Sequence, residues 1–198
     1  MSAIPAFEIG VWNAWIFILP FLLVTYGLSY LIVNRESALF SWPEYNKQEK
    51  PLLGIMMLCW IGSWIYSIFV PLKLGTAWLY VGLPIYLVGL IFTLLATLAF
   101  ARTSPDKPNT DGIYRISRHP MYIGFLLIYL GMAIACASWV YLLVLLVVLV
   151  MYMTVLSIPE ERFCLEKYGD AYREYMNKTP RWIGIPKSLI ILNTTKGG

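Results

Sequence analysis

Thirty-nine consecutive residues, 120–158, contain no Asp, Glu, Lys, Arg or His. A run of that length exceeds one membrane crossing, which takes about 20 residues of helix. It divides into two spans of about 17–20 residues each, with a break at Cys136-Ala137-Ser138-Trp139. Two helices joined so tightly run antiparallel, so their outer ends face the same way. Both outer ends are polar: Arg118-His119 precedes the run and Pro159-Glu160-Glu161-Arg162 follows it. Ionisable groups beside lipid are costly and mark functional sites. The hairpin therefore predicts that His119 and Glu160 meet at one membrane face.

The rest of the chain supports a membrane setting. Of its 198 residues, 59% are hydrophobic and only 13% charged, too apolar for a soluble domain. Three further apolar segments lie at about 11–33, 52–70 and 77–100, the last with Pro84 as an expected kink. The predicted fold is all-α: a polytopic membrane protein of five transmembrane helices, one domain over 1–198. Met1 to Gly10 lack a basic region and no small-residue cleavage site follows, so the first segment is expected to stay as an anchor. Five spans put fourteen of the fifteen Lys and Arg residues on one side and leave Lys73 alone on the other. The positive-inside rule then places the N-terminus outside and the C-terminus in the cytoplasm. Phe163, Leu165, Tyr168, Tyr172 and Tyr175 punctuate the charged tail at helical spacing, which predicts a short cytoplasmic amphipathic C-terminal helix ending within 177–180.

The net charge of +4 does not point to nucleic acid, because the bases sit at membrane edges. Cys59, Cys136 and Cys164 have no ligand spacing, and there is one histidine, so no metal site is expected.

Each polar patch has two readings. Pro120 suits the first turn of a helix, and His119, Arg115 and Arg118 could be punctuation and topology signals. Taken together, Arg-His-Pro-x-Tyr-x-Gly supplies more: the Tyr122 hydroxyl, a Gly124 that permits close backbone approach, and a helix N-terminus with unpaired N–H groups. Those parts suit a polar cofactor head. Likewise Ser157-Ile158-Pro159-Glu160 fits a capping box with proline in the first turn, with Glu161 complementing the helix dipole. The alternative is a Glu160 carboxylate that binds a cation. The tail tyrosines, Arg173 and Arg181 suit interfacial anchoring and could also close a site.

Gly112-Ile113-Tyr114, Arg118-His119-Pro120-x-Tyr122-x-Gly124, Glu160-Glu161, Tyr168-Gly169-x-x-Tyr172-x-x-Tyr175 and Arg181, in that order, resemble the isoprenylcysteine carboxyl methyltransferases. The wider group includes integral-membrane phospholipid methyltransferases. The likeness covers about 101–186, and the chain's length resembles the small prokaryotic members. It implies a methyltransferase that binds S-adenosylmethionine without a Rossmann domain, and no Gly-x-Gly-x-x-Gly occurs here. By position, Asp106, Lys107, Pro108, Asn109, Tyr114, His119, Pro120, Met121 and Tyr122 would line the cofactor, and Glu160 would meet its charged head. A lipophilic methyl acceptor would enter from the bilayer, with the active site facing the cytoplasm. Arg162, Arg173 and Arg181 are the candidates near the acceptor.

Leu156 departs from the family, whose prenylcysteine enzymes carry a substrate-associated arginine four residues before the glutamate. A carboxylate acceptor is ionised at neutral pH and needs a cationic clamp. An amine acceptor needs its proton removed. Weak activity on farnesylcysteine follows, with phospholipid amine N-methylation as the alternative. Two readings of other classes remain. An NADPH-dependent sterol-reductase-like enzyme shares an Arg-His-Pro run, but Met121 stands where those proteins carry asparagine. The other is a non-enzymatic scaffold or small transporter; a transporter would carry polar groups mid-membrane, and the spans here contain no charge.

Overall fold

The computed structural model describes residues 1–27, 30–31 and 43–183. Among the described residues the chain is all-helical. Helix α1 (Trp15–Leu22) continues through a π turn (Leu23–Gly27) and is followed by α2 (Glu49–Ser67) and α3 (Ala77–Ala101). A loop with one 3-10 turn (Gly112–Arg115) leads to α4 (Pro120–Ala135) and α5 (Trp139–Met151). A π turn (Tyr152–Leu156) then carries α5 directly into α6 (Ser157–Tyr168), and α7 (Asp170–Lys178) ends the described chain's helices.

The expected hairpin forms where the small residues break the run. Ala137 takes a positive φ of 49°, and Ser138 caps α5 by accepting the Tyr141 N–H at 3.2 Å. The N-terminal segment braces this turn: Ser2 donates its N–H to Ala137 (2.6 Å) and accepts the Trp139 N–H (2.9 Å). The N-terminus thus lies at the opposite end of the hairpin from His119.

Helices α3 and α4 touch backbone to backbone through glycines spaced by seven residues. A Cβ on Gly82 would lie 2.5 Å from the Ala135 nitrogen, and one on Gly131 would lie 2.5 Å from the Tyr86 nitrogen. Gly89 and Gly124 make the same contact two turns along, against Ile128 and Thr93. Without water between apolar helices, such close packing is a main source of cohesion. Gly124 therefore serves α3 and not a ligand. Pro84 sits inside α3, as the sequence suggests. Aromatic side chains fill the rest of the core, with Phe17, Phe21, Tyr86, Tyr129, Tyr141 and Tyr152 all buried.

Two helices are long and apolar enough to cross a membrane by length and composition: Ala77–Ala101 and the continuous run Trp139–Tyr168. Trp15–Gly27 and Pro120–Ala135 are apolar but shorter. At 1.5 Å per residue, the sixteen residues of α4 reach about 24 Å, less than a hydrocarbon core of about 30 Å. The end of the first predicted segment falls partly outside the described residues.

Two sequence expectations are corrected. Ser157-x-x-Glu160 is not a capping box. Ser157 has helical angles, its hydroxyl donates back to the Met153 carbonyl, and Leu156 stands at the cap position with no side-chain bond. No new helix starts at Pro159. Proline cannot bond the carbonyl four residues back, which belongs to Val155, and the π turn over Tyr152–Leu156 absorbs that loss. Second, the tail is two helices and not one. Gly169 turns the chain at φ 54° between α6 and α7. Of the tail tyrosines, α7 buries Tyr172 and Tyr175, and it ends at Lys178, within the expected limits.

Candidate functional site

The polar end of the bundle is built by the 102–119 loop, the first turn of α4, α6 and the segment after α7. Gly112 opens the 3-10 turn at φ 59°. That turn buries Tyr114 in a cluster with Ala96, Tyr172 and Tyr175, against which Met121 packs. Tyr175 donates its hydroxyl to the Tyr114 carbonyl at 2.7 Å, which fixes the loop to α7. Burial pushes the Tyr114 phenol well above its ordinary value, so it acts as a neutral group.

His119 stands immediately before α4, with Pro120 at the first helical position. Its N–H bonds the Ser117 hydroxyl at 3.1 Å. The buried imidazole bridges two neighbouring carboxylates on α6. Nδ1 lies 3.5 Å from Glu160 and Nε2 lies 3.1 Å from Glu161. Successive helical residues point about 100° apart, so the two glutamates part company beyond the histidine. Glu160 turns toward α4, where Tyr122 donates its hydroxyl to it at 2.7 Å. Its side chain remains 39% exposed. Glu161 turns inward, where Arg118 Nη1 stands 2.9 Å from Oε1 and Arg181 donates through Nε at 3.1 Å and through Nη2. Its side chain is only 5% exposed.

Both glutamates lie beyond the uncharged stretch, which ends at Pro159. Burial alone would raise the Glu161 carboxyl. Hydrogen bonds from His119 and Arg181 and the charge of Arg118 outweigh it and hold the group at about 2. Burial alone would lower His119, and the two carboxylates outweigh that and raise it above its usual 6.5. Glu161 is therefore an ionised hub, and Glu160 is the carboxylate with an open edge.

Among the residues singled out from sequence, the structure brings His119, Tyr122, Glu160 and Arg181 into one connected network. Arg162 instead makes a bidentate pair with Glu49 of α2, at 2.8 and 2.9 Å, and bonds the Glu44 carbonyl. Arg173 is exposed and pairs with Asp170 at 3.2 Å. Asp106 and Lys107 are exposed and Pro108 is half-buried. Lys107 lines a separate recess of about 270 Å³ with Arg102, Thr103 and Asp111. Asn109 accepts the Asp111 N–H at 3.4 Å, while its own buried side-chain Nδ2 has no hydrogen-bond partner among the described residues.

Sequence reasoning undervalued Glu161 and missed Trp182. The indole packs 5.3 Å from the His119 ring and 6.1 Å from that of Tyr122. The signals for Glu161 were the adjacency of two glutamates beside an apolar run and its place in the Glu160-Glu161 motif.

Residues 74–171, just under half of the chain, match the family model described as Phospholipid methyltransferase. That stretch holds α3 to α6 and the whole His119–Glu160–Glu161 network, and it stops before Arg181. The Protein-S-isoprenylcysteine O-methyltransferase of Schizosaccharomyces pombe (strain 972 / ATCC 24843) is 36% identical over 77 residues, 39% of this chain and 32% of that protein. The chain thus matches about a third of that relative's length. Both findings bear out the resemblance carried by the motif residues.

Proposed function

We propose that this chain is an S-adenosylmethionine-dependent membrane methyltransferase with a lipophilic acceptor, and that His119, Tyr122 and Glu160 face the cofactor. The observation that carries the reading is the convergence of His119 and Tyr122 on the half-open Glu160 carboxylate, inside the stretch that matches the family. The residues present fit the cofactor. A carboxylate with an open edge suits its sulfonium and ammonium charges. The orphaned Asn109 amide is a buried donor in want of an acceptor. Asp106, Lys107, Pro108, Asn109, Tyr114, Pro120 and Met121 would complete the lining by their positions along 106–122.

When bound, the cofactor supplies an electrophilic methyl group. What the chain does is hold and align. Glu161, fixed by two arginines, orients the imidazole, and the imidazole and the Tyr122 hydroxyl orient Glu160. Displacement at a methyl carbon is in-line, so such rigid positioning supplies much of the rate. For an amine acceptor, Glu160 is placed to take up the released proton. For a carboxylate acceptor no proton moves, and Arg181 is the cation at hand.

The membrane arrangement belongs to the same reading. Five spans, with the N-terminus outside and the C-terminus in the cytoplasm, leave the site open to a cytosolic cofactor and to a lipid from the bilayer. The supporting observation is that Ser2 lies at the far end of the hairpin from His119. The resemblance points first to a prenylcysteine carboxylate, on which Leu156 predicts weak turnover, and an aminophospholipid is the alternative. Purified protein in lipid nanodiscs should transfer label from methyl-labelled S-adenosylmethionine to one of prenylcysteine, aminophospholipid or quinone-like acceptors. No transfer to any of them, together with no cofactor binding, would overturn the proposal.

A further inference from the structure

Beside the site runs a groove of about 310 Å³, lined by Val150, Met153, Thr154 and Ile158 on one side and by Arg181 and Trp182 on the other. Its floor is apolar, and Val150 and Ile158 are more than half exposed. In a membrane, that face meets lipid. Trp182 is the wall between this groove and the site, because the same indole that lines the groove packs on His119 and Tyr122.

The backbone before Trp182 is pinned. Arg118 donates its N–H to the Pro180 carbonyl at 3.0 Å, Ser117 donates its hydroxyl to the Arg181 carbonyl at 3.0 Å, and the Arg181 side chain is bound to Glu161. The indole itself is held by ring packing, and among the described residues no hydrogen bond holds its nitrogen. It can therefore swing aside without breaking any of the bonds that pin the strap.

We propose that Trp182 is a gate between this lipid-facing groove and the His119–Glu160 site, and that its bulk decides which acceptor passes. The proposal rests on the reading of that site as the methyl-transfer centre. The occupant of the groove is a single hydrocarbon chain of the acceptor. The volume lies at the lower end of ligand sites, about 300–1,000 Å³, which suits one chain. Apart from Thr154 and Arg181 its lining is apolar, and Arg181, whose side chain is 40% exposed, offers a cation to a headgroup.

The test is photolabelling of the full chain in phosphatidylcholine nanodiscs with a single-chain hexadecyl diazirine, with adducts mapped by mass spectrometry. Wild type should label Met153 or Ile158, with few adducts at Tyr122. Trp182→Ala should raise labelling at Tyr122 by about tenfold, the ratio expected when roughly 1.4 kcal/mol of ring packing is removed. Trp182→Phe should fall between and keeps the test available if the alanine variant does not fold. Ile158→Trp should fill the groove and lower labelling at both Met153 and Tyr122. Unchanged labelling at Tyr122 in folded Trp182 variants, or no adducts in the groove of wild type, would overturn the gate. Calorimetry with S-adenosylmethionine on the same samples separates the two ideas. Cofactor binding with unchanged labelling sinks the gate alone. The expected labelling without cofactor binding supports the gate as a passage and sinks the methyltransferase reading.

Discussion

Glu161→Gln keeps the side chain's shape and removes its charge, so it isolates what the buried carboxylate does. In the native fold that carboxylate answers two guanidiniums, Arg118 at 2.9 Å and Arg181 at 3.1 Å, and the imidazole at 3.1 Å. The arginines do not lose equally. Arg181 is 40% exposed and can turn to solvent or a lipid headgroup, whereas the Arg118 side chain is 10% exposed and stays where it is. Removing one partner of a buried ion pair costs about 3–5 kcal/mol. With one stranded arginine and one that relaxes, the lower end applies, about 3 kcal/mol. For a chain of this length 1 kcal/mol moves the melting temperature by about 2–4 °C, so a fall of roughly 6–12 °C is expected in detergent. Glu160→Gln is the control. Its side chain is 39% exposed, and an amide oxygen can still accept from Tyr122, so its melting temperature should shift by no more than about 3 °C. Equal shifts for the two variants would refute the division of labour between the glutamates.

Other outcomes follow from the same geometry. Gly131→Ala places a Cβ 2.5 Å from the Tyr86 backbone and should cost about 1–3 kcal/mol in a thermal melt. Gly54→Ala, with nothing within 4 Å, should be neutral or slightly stabilising, and equal effects at the two sites would contradict the close α3–α4 contact. Arg162→Met should lower the melting temperature through loss of its bidentate pair with Glu49. Arg173→Ala, at an exposed pair, should stay within about 0.5 kcal/mol, and a larger loss there would show a contact not accounted for. The pH profile of stability should have two edges. The raised His119 contributes fully below 6.5, and its share is lost as pH rises through the folded value. The lowered Glu161 contributes fully above 4.5, and its share is lost as pH falls toward about 2. His119→Ala should remove the upper edge and weaken the lower one, because His119 also helps to hold Glu161 low, and persistence of the upper edge would assign it elsewhere.

The meeting of His119 with Glu160 was legible because it needs only an uncharged run of known length, a break in its middle and polar ends. The α3 helix and its proline were legible for the same reason. What stayed hidden depends on helix phase. Pro159 looked like the start of a helix, and that start would have made Glu160 a cap. The helix starts at Trp139, and the π turn over Tyr152–Leu156 admits an extra residue and rotates everything after it. The phase of α6 decides that Glu161 faces the buried arginines and Glu160 faces Tyr122. Trp182 was hidden because it acts through a strap beyond α7, whose path is set by bonds to Arg118 and Ser117 and not by any periodicity. Gly124 could be seen as a place of close approach, but its partner, Thr93, lies in another helix.

The central claim is that the methyl donor sits against Glu160 and His119. Titration of the purified chain with S-adenosylmethionine by calorimetry tests it without knowledge of the acceptor. Wild type should bind. Glu160→Gln and His119→Ala should each bind about ten- to a hundredfold more weakly, the loss of one charge-assisted contact of about 1.5–3 kcal/mol. Absence of binding in wild type, or unchanged affinity in a folded Glu160→Gln, would contradict the claim.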